Sequence, residues 1–427
     1  MNNSTRRDFL RYAGAAGAAS AFAFTGFVPP AFAANAKVVV IGGGFGGTAA
    51  ARYVKAWAPN AEVILVEPSK TYITCPFSNY VLGGFNTMDK ITHTYDGVLK
   101  AGVKIVEGMA TGVDPVKRTV ATSTGLTLPY DRLIVSPGID FRFDAVPGYS
   151  EAVVDKVPHA WKAGPQTILL RKQLEAMPDG GTVVIAPPGN PFRCPPGPYE
   201  RASAIAWYLK NNKPKSKLIV VDGKDAFSKQ GLFLEGWNLH YKDIIEWVPF
   251  KKAGKLVEID ANTRTLKTDF ESFKADVLNF IPPQKAGAIA ASIGLTDKSG
   301  WCPVDFTTME SKQVPNVHVI GDAAIAPAMP KSGNAANTQG KMCAAAVVAL
   351  LAGKKPVAQS TSNTCYSLIT PDYGISVTDV YWAGEKGFTT VKGSGGVSPT
   401  GRDADFRKLE ADYARGWYAG IVKDTWG

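Results

Sequence analysis

Lys37-Val38-Val39-Val40-Ile41-Gly42-Gly43-Gly44-Phe45-Gly46-Gly47 is a β-branched apolar run that ends in a cluster of glycines. Residues 48–57 follow with a helical pattern, and residues 62–66 form a second apolar run that is closed by Glu67. A strand, a glycine turn, a helix, a second strand and an acidic residue, in that order, are typical of a dinucleotide-binding βαβ unit. We therefore predict an α/β fold that begins with such a unit.

The spacing of the glycines indicates what this unit binds. Gly42, Gly44 and Gly47 stand in the pattern Gly-x-Gly-x-x-Gly. In this pattern the backbone can approach a pyrophosphate at a helix N-terminus, where free N–H groups favour anions. Glu67 lies 20 residues after Gly47, where a carboxylate can accept hydrogen bonds from a ribose. We predict that these four residues bind a dinucleotide.

Two later segments favour FAD over NAD as the resident dinucleotide. Residues 128–138 resemble the strand that returns to the nucleotide domain in flavoproteins with two dinucleotide-binding domains, and residues 317–323 resemble the late FAD motif of the same proteins. That resemblance implies that Gly321 and Asp322 contact FAD, with Asp322 on the ribityl chain. The alternative is that Asp322 is an ordinary carboxylate at the end of a strand. The predicted fold class is α/β, a glutathione-reductase-like flavoprotein with two dinucleotide-binding domains and a C-terminal interface region.

The second nucleotide-binding unit is expected to be degenerate. Residues 181–186 have the pattern of its first strand, but Pro187-Pro188-Gly189-Asn190-Pro191 follows where a second glycine motif would stand. Prolines lack the N–H donors that hold a pyrophosphate, and they fix the local turn. NADH is therefore not expected to be the reductant, which argues against an NADH-driven disulfide reductase.

The first residues have the pattern of an export signal. Thr5-Arg6-Arg7-Asp8-Phe9-Leu10 precedes an apolar run over residues 13–28 and then Ala31-Phe32-Ala33, which together make a twin-arginine signal with an A-x-A cleavage site. The run of 16 residues is shorter than the roughly 20 that a membrane-spanning helix needs. We predict export of the folded protein to the periplasm and no transmembrane anchor.

The chain is expected to divide into a signal peptide and three domains. The signal peptide covers residues 1–33, the FAD-binding domain 34–150 and 285–358, the degenerate second domain 151–284, and the C-terminal interface domain 359–427. The last domain ends in a predicted helix whose apolar face is Phe406, Leu409, Tyr413, Trp417 and Ile421. Its other face carries mixed charge, which favours packing or a subunit interface over a membrane surface.

The composition excludes several classes of protein. With 427 residues, of which 45% are hydrophobic and 20% charged, the chain can bury a large core and is not disordered. Its formal net charge is +10, but the positive residues are scattered and form no basic stripe. Nucleic-acid binding is therefore not expected, and a basic surface facing an acidic protein partner fits equally well. No metal site is predicted.

Two of the five cysteines lie where sulfur chemistry is possible. Cys194 precedes a helical pattern and stands near Arg193 and Arg201, surroundings in which a thiolate can be stabilised. Cys365 is its natural remote partner. A disulfide between them would accept a nucleophilic sulfur and pass two electrons to a flavin. The residues alone leave a structural bridge or two buried thiols equally open.

Together these motifs resemble a known family. The glycine motif, Thr74-Cys75-Pro76, residues 194–201, Gly321-Asp322 and Thr364-Cys365-Tyr366 are similar to those of the flavoprotein subunit of flavocytochrome c sulfide dehydrogenase, including the related flavoprotein of the sulfur-oxidation system. The resemblance covers essentially the whole chain after the signal. It implies that Cys75 carries FAD through a thioether, that Cys194 and Cys365 form a redox-active disulfide, and that Glu200 is an acid or base beside it.

Some residues have alternative roles at this stage. Cys75 could be a buried inert thiol, and Glu200 a solvated first-turn glutamate stabilised by the helix dipole. The helix that follows residues 334–339, with Asn337 as a cofactor contact, is predicted to point its N-terminus at the flavin; the alternative is a capped core helix. Cys302 and Cys343 resemble small packing residues.

The resemblance also implies an activity and a partner. The protein would oxidise sulfide through the disulfide and FAD, and pass electrons to a c-type cytochrome subunit in a heterodimer. None of the four histidines belongs to a C-x-x-C-H motif, so haem c must lie on the partner chain. One alternative is a sulfide:quinone oxidoreductase, which shares the fold and a flavin-facing disulfide. Another is a non-catalytic FAD-binding partner of a sulfur-oxidation complex, which would not need all three site cysteines.

Overall fold

The computed structural model describes residues 36–385 and 387–427. The predicted export signal, residues 1–33, lies outside the described residues. In chain order the helices are α1 (Phe45–Trp57), α2 (Ser78–Gly83), α3 (Asp96–Lys100), α4 (Pro165–Ala176), α5 (Gly197–Asn212), α6 (Gln230–His240), α7 (Phe250–Ala253), α8 (Ala288–Ser292), α9 (Gly333–Leu351) and α10 (Ala404–Trp426).

The strands come from all parts of this region. In chain order they are β1 (Lys37–Ile41), β2 (Glu62–Val66), β3 (Thr71–Ile73), β4 (Thr92–Thr94), β5 (Lys104–Val106), β6 (Ala110–Asp114), β7 (Thr119–Thr122), β8 (Thr127–Pro129), β9 (Arg132–Val135), β10 (Ile139–Phe141), β11 (Thr182–Ala186), β12 (Lys217–Val221), β13 (Ile245–Val248), β14 (Leu256–Asp260), β15 (Thr265–Thr268), β16 (Ser272–Lys274), β17 (Val277–Phe280), β18 (Gln284–Ala286), β19 (Val317–Val319), β20 (Gln359–Thr370), β21 (Tyr373–Gly384), β22 (Gly387–Thr390) and β23 (Gly396–Val397).

A five-stranded parallel sheet has the order β19-β9-β1-β2-β5. The glycine motif directly follows its central strand, β1. Val38, Val39 and Val40 of β1 are fully buried, as expected for a parallel sheet that is covered on both faces. The late strand β19 pairs with β9, although more than 180 residues separate them in sequence. Because parallel strands end at the same edge, the turn after β19 comes close to the glycine turn after β1.

Helices α1 and α9 pack closely beside this sheet. A Cβ at Gly340 of α9 would lie 2.5 Å from the carbonyl oxygen of Gly46 in α1, so a side chain there would push the two helices apart. Cys302 and Cys343 are both fully buried in the same core, where they pack as small apolar side chains.

A second parallel sheet has the order β13-β12-β11-β17, and the antiparallel sheet β14-β15-β16 accompanies it. Val183, Val184 and Ile185 of β11 are fully buried. After β11 the chain passes through the proline-rich loop and does not enter α5 until Gly197. In the second unit 10 residues therefore stand between the first strand and the helix, so the helix does not begin directly after the strand as it does in the first unit.

The C-terminal region is an antiparallel sheet of β20, β21 and β22, with β23 also paired to β21, and α10 packs on it. A Cβ at Gly374 of β21 would lie 2.4 Å from the amide nitrogen of Ala411, so the helix rests directly on the strand. The predicted apolar face of α10 is partly wrong. Leu409 and Tyr413 are exposed, and the buried face instead includes Arg407 and Glu410.

The buried charges of α10 explain that difference. Arg407 pairs with Glu410 one turn away, at 3.0 Å, and with Glu235 of α6, at 2.8 Å. An apolar pattern cannot identify a helix face that is buried through an ion pair.

Within residues 36–385 and 387–427, no helix is both long enough and apolar enough to cross a membrane.

Candidate functional site

A cavity of about 490 Å³ opens at the carboxyl edge of the five-stranded sheet. It is lined by residues that follow three different strands: Gly42 and Gly44 after β1, Glu67 after β2, and Gly321 and Asp322 after β19. Ligands of parallel α/β sheets bind in crevices at this edge. The structure therefore brings these predicted dinucleotide-binding residues to one site.

The glycine turn has no space for side chains at two positions. Gly42 has a φ of +99°, and a Cβ there would lie 2.3 Å from the carbonyl oxygen of Ser136. A Cβ at Gly47 would lie 2.0 Å from the carbonyl oxygen of Gly42. Gly47 does not line the cavity; it allows α1 to start directly against β1. The third glycine of the motif therefore acts through packing, as the βαβ fingerprint requires.

Glu67 holds the turn in addition to facing the cavity. Its Oε2 accepts a hydrogen bond from the Gly43 amide at 2.8 Å, and its Oε1 accepts one from the Ser69 amide at 2.9 Å. Each carboxylate oxygen can accept a further bond, so a ribose hydroxyl remains a possible donor. The predicted ribose contact is thus compatible with a second role in fixing the turn.

Asp322 has a buried carboxylate oxygen that no described protein group at this cavity satisfies. It is buried, burial raises its pKa, and its Oδ1 has no hydrogen-bond partner in the described part of the chain. A buried carboxylate oxygen without a donor is costly unless a ligand supplies one. The hydroxyl groups of a ribityl chain would do so. Together with the glycine turn, this orphaned atom fits a flavin dinucleotide and disfavours an ordinary strand-end carboxylate.

The last turn of α10 contacts the glycine motif, and sequence analysis did not predict this contact. The Trp426 ring stacks on Tyr72 with centroids 4.9 Å apart, and its Nε1 donates to the Gly43 carbonyl at 3.3 Å. The Tyr95 hydroxyl donates to the same carbonyl at 3.1 Å. No local pattern connects residues 43 and 426, so only the tertiary fold reveals this contact.

Cys75 lies between this cavity and a second, smaller one, and it lines both. It follows β3 and is half-buried, and its Sγ donates to the Trp161 carbonyl at 3.5 Å. Because Cys75 is half-buried and borders two cavities, it is not the buried thiol of the alternative interpretation. The predicted thioether itself stays a prediction.

The second cavity has a volume of about 70 Å³ and contains the predicted sulfur chemistry. Cys194, Cys365 and Glu200 all line it, although Cys365 lies more than 160 residues from the other two. All five cysteines are free thiols in the structure, so the Cys194–Cys365 bridge also stays a prediction. What the structure establishes is that both sulfurs border the same small space.

The expectation that the arginines stabilise the Cys194 thiolate needs correction. Burial raises the pKa of the Cys194 thiol well above its usual value, and the neighbouring Cys365 and Glu200 raise it further. Lys229 and Arg193 lower it, but do not reverse the effect of burial. The residue precedes α5 without being part of its first turn, since the helix begins at Gly197.

Arg201 has a structural role instead. Its guanidinium donates to Asn79 Oδ1 at 3.0 Å, to Asn279 Oδ1 at 2.9 Å, and to the carbonyls of His159 and Ala160 at 2.9 and 2.5 Å. Burial lowers its pKa to about 9. With its donors committed to these four acceptors, Arg201 joins the elements around the small cavity.

Glu200 is not the solvated first-turn glutamate of the alternative interpretation. It is 7% exposed, and burial raises its pKa above the ordinary value. Asn79 Nδ2 donates to its Oε1 at 2.8 Å and lowers that pKa in part. A buried carboxyl group with a raised pKa on a cavity wall is suited to act as an acid or a base.

Lys229 is a further site residue that sequence analysis missed. Its Nζ donates to the Cys365 carbonyl at 3.1 Å and to Ser367 Oγ at 2.9 Å. It stands in Ser228-Lys229-Gln230, which matches no motif, and the residue acts on strand β20 from the start of α6. No signal in the sequence could have identified it.

Asn337 differs from its predicted place. Its Nδ2 donates to Asp424 Oδ2 at 2.8 Å and to Thr425 Oγ1 at 3.1 Å, so it ties α9 to the end of α10 and does not line either cavity. The N-terminus of α9 does lie where expected: Gly333 lines both cavities. The error arises because Asn337 lies one turn too far along the helix.

A third and larger cavity of about 1000 Å³ lies at the carboxyl edge of the second sheet, and none of the described cysteines lines it. Gly189, Asn190 and Pro191 of the proline-rich loop form one wall of it. This is where the second nucleotide of a two-dinucleotide flavoprotein would bind. Its wall carries the proline loop in place of a glycine turn, which agrees with the predicted loss of the phosphate cradle.

Three segments of the chain match known protein families. Residues 167–282 match the central region of the sulfide dehydrogenase (flavocytochrome c) flavoprotein chain, and residues 357–426 match the flavin-binding region of flavocytochrome c sulphide dehydrogenase. Residues 36–165 match the pyridine nucleotide-disulphide oxidoreductases. The sulfide dehydrogenase (flavocytochrome c) flavoprotein chain of Chlorobaculum thiosulfatiphilum is 53% identical over 45 residues, which are 10% of this chain and 94% of that sequence.

The chain belongs to the flavocytochrome c sulfide dehydrogenase flavoprotein family. The mitochondrial sulfide:quinone oxidoreductase of Mus musculus is a more distant relative, 24% identical over 78% of this chain and 75% of its own length. The crystal structure of the sulfide:quinone oxidoreductase from Aquifex aeolicus has a TM-score of 0.71 at 16% identity, and covers 91% of this chain and 92% of that one. This confirms the predicted fold class.

Membership of the sulfide dehydrogenase flavoprotein family explains the arrangement of the two cavities. Gly42, Gly44 and Glu67 of the dinucleotide cavity lie in the segment that matches the disulphide oxidoreductases. Cys194 and Cys365 lie in the two segments that match the sulfide dehydrogenase itself. The chain is a flavoprotein of a sulfide-oxidising family.

Proposed function

We propose that this chain is the flavoprotein subunit of a periplasmic sulfide dehydrogenase. It oxidises sulfide through Cys194 and Cys365 and delivers the electrons through FAD to a c-type cytochrome subunit. The observation that carries the proposal is the small cavity, where both cysteines and Glu200 meet and which shares Cys75 with the dinucleotide cavity. Its volume of about 70 Å³ suits a few molecules of hydrosulfide size, since a single water needs roughly 10–15 Å³.

The reaction of the paired cysteines balances as thiol–disulfide exchange. In the oxidised pair, HS⁻ attacks one sulfur, the S–S bond breaks, and the products are a cysteine persulfide and a cysteine thiolate. A second HS⁻ takes the outer sulfur as HSS⁻ and leaves a thiol. Closing the bridge again releases two electrons and one proton. FAD, when bound, accepts those two electrons and passes them on one at a time.

Glu200 has the position of the proton acceptor for the incoming substrate. Its raised pKa makes its carboxylate a stronger base than a solvated glutamate, so it can take a proton from H₂S and form HS⁻ at the cavity. Asn79 holds the carboxyl group in place through the 2.8 Å hydrogen bond.

The covalent flavin bond can be tested separately at Cys75. We expect flavin absorbance to remain with the acid-denatured polypeptide of the wild-type protein, because a thioether survives unfolding. In Cys75→Ser the flavin should separate from the polypeptide on denaturation, while Cys343→Ser, a change at a buried cysteine outside both cavities, should retain it. Release of all flavin from the denatured wild-type protein would show that the bond does not form.

The cytochrome acceptor and the periplasmic location are supported by different observations. Both sulfide dehydrogenase family matches name a flavocytochrome c, and residues 5–33 have the twin-arginine pattern. The more distant relatives are named sulfide:quinone oxidoreductases, so quinone is the competing acceptor.

Steady-state oxidation of sulfide with each acceptor tests this proposal. The purified protein, with and without its co-purified cytochrome subunit, is supplied with sulfide and either cytochrome c or a short-chain quinone, and NADH replaces sulfide in a parallel series. We expect sulfide-dependent cytochrome c reduction to be faster than quinone reduction, and no turnover with NADH. Faster quinone reduction would favour a sulfide:quinone oxidoreductase. An active Cys194→Ser variant that still binds FAD and its partner would favour a non-catalytic role for the cysteines.

A further inference from the structure

Lys229 is a buried cation whose hydrogen-bond partners are all neutral. The residue is 6% exposed, and its Nζ donates to the Cys365 carbonyl and to Ser367 Oγ. None of the ion pairs within residues 36–385 and 387–427 includes it. Burying an ammonium group with neutral partners alone is unfavourable, so a buried lysine of this kind marks a place where negative charge is expected.

The backbone at Lys229 is also held in an unusual conformation. Its φ is +61°, in the left-handed region that residues with a Cβ rarely adopt. This conformation places the residue immediately before α6, with its side chain directed to strand β20. This conformation does not serve to cap the helix, because the Lys229 side chain makes no capping hydrogen bond. The side chain's contacts with β20 are what the conformation achieves.

The ionisable groups around Lys229 come from every element packed against it. Burial lowers the pKa of its ammonium group, and Cys365 on β20, Glu200 on α5, Cys194 before α5 and Glu410 on α10 all raise it. In return, Lys229 lowers the pKa of the Cys365 thiol, which burial otherwise raises. Of these groups, the two cysteines and Glu200 are the ones whose charge changes during the proposed reaction, and Cys365 is the one whose carbonyl Lys229 contacts directly.

The two cysteines are not equally prepared to carry that charge. Asn363 Nδ2 lies 3.5 Å from Cys365 Sγ and can donate to it, and Lys229 Nζ donates to the Cys365 carbonyl. Within the described residues, Cys194 Sγ receives no hydrogen bond. Of the two sulfurs, that of Cys365 is the better supported as an anion.

We propose that Lys229 is a positioning residue that stabilises negative charge on the Cys365 sulfur when the cysteine pair opens. In this step HS⁻ attacks the Cys194 sulfur, the S–S bond breaks, and the Cys365 sulfur leaves with the bonding electron pair as a thiolate. Cys194 becomes the persulfide, and no proton or external oxidant is needed. The proposal rests on the proposed function for the identity of the nucleophile, but its electrostatic part concerns Cys365 alone.

The test measures the Cys365 thiol directly in the reduced holoprotein. The rate of alkylation by iodoacetamide is followed as a function of pH, and the peptide that contains Cys365 is quantified by mass spectrometry. In Lys229→Met we expect the apparent pKa of Cys365 to rise by about one unit, which means roughly tenfold less thiolate at a pH below both values. Lys229→Arg should restore most of the wild-type profile, because it restores the charge.

Ser367→Ala is the matched control. It removes one hydrogen-bond partner of Lys229 and keeps the ammonium charge, so the Cys365 profile should stay close to that of the wild type. If Lys229→Met does not fold, Lys229→Gln, which keeps a hydrogen-bond donor but not the charge, is measured instead and should show the same shift. Flavin content and circular dichroism confirm that each variant is native.

The outcomes separate this inference from the proposed function. An unchanged Cys365 profile in folded Lys229→Met or Lys229→Gln would overturn the role of Lys229. Under a single turnover with sulfide, the persulfide should be found on the Cys194 peptide, and a persulfide found on the Cys365 peptide would overturn the proposed direction of attack. A wild-type protein that does not react with sulfide would instead overturn the proposed function, whatever the alkylation profiles show.

Discussion

At the scale of single residues, the site depends on burial more than on neighbouring charge. Sequence analysis placed Cys194, Cys365 and Glu200 together through family resemblance, and in the structure all three line one small cavity. It could not predict that burial raises the pKa of both thiols, because the local sequence around Cys194 shows only two arginines. The buried Lys229 was missed for the same reason: its neighbours come from distant parts of the chain.

The pH dependence of sulfide oxidation tests the role of Glu200. Because burial raises the pKa of this carboxyl group, its basic form appears only as the pH rises through that value, so kcat/KM should rise with pH. In Glu200→Gln that rise should disappear and leave only the limb that belongs to the ionisation of H₂S itself. The amide has nearly the same size as the carboxyl group, and its carbonyl oxygen can still accept from Asn79 Nδ2, so folding should be preserved.

The matching control for this prediction is Glu310→Gln, a substitution of the same kind at a glutamate that pairs with Arg132 and lines none of the three main cavities. Its pH profile should be that of the wild type. A Glu200→Gln profile identical to the wild type, measured over the same pH range, would show that Glu200 carries no proton in the rate-limiting steps.

At the scale of elements, the first βαβ unit was predictable and the C-terminal helix was only partly so. The glycine spacing decides the turn because Cβ atoms at Gly42 and Gly47 would collide with backbone oxygens. For α10, the apolar pattern identified a helix but not its buried face, since Arg407 and Glu410 are buried as an ion pair. A hydrophobic pattern cannot identify charged side chains that are buried because they pair with one another inside the protein.

The Arg407 ion pairs predict a large effect on stability. Arg407→Met removes the cation but leaves the Glu410 carboxylate buried, and breaking a buried pair in this way typically costs about 3–5 kcal/mol. We expect a correspondingly lower free energy of unfolding, measured by denaturant titration with tryptophan fluorescence. Lys408→Met, which breaks an exposed pair on the same helix, should have no measurable effect. Equal stability of the two variants would contradict the structural role of the buried pair.

At the scale of the whole molecule, the fold brings together residues that sequence order separates. The turn after β19 reaches the glycine turn through the five-stranded sheet, and β20 brings Cys365 to the loop that contains Cys194. The first of these was predictable because the late FAD motif has a pattern of its own. The contact of Trp426 with Gly43 was not, because it depends on how α10 crosses the molecule.

The degenerate second unit gives the molecule its direction of electron flow in the proposed function. The proline-rich loop and the late start of α5 leave the second sheet without the helix N-terminus that binds a pyrophosphate. Electrons are therefore expected to enter from sulfide at the cysteines and not from a pyridine nucleotide. The cavity with the Asp322 carboxylate and the small cavity with Cys194 and Cys365 lie next to each other, with Cys75 on the wall of both.

The central claim is that the two cysteines act as a pair between sulfide and the flavin. The most direct measurement is the anaerobic addition of sulfide to the purified flavoprotein while its visible flavin absorbance is followed, with Cys194→Ala, Cys365→Ala and the control Cys343→Ala measured in parallel. The account predicts loss of the absorbance in the wild type and in Cys343→Ala, and no loss in either site variant. Bleaching by sulfide at the wild-type rate in Cys194→Ala or Cys365→Ala would contradict it.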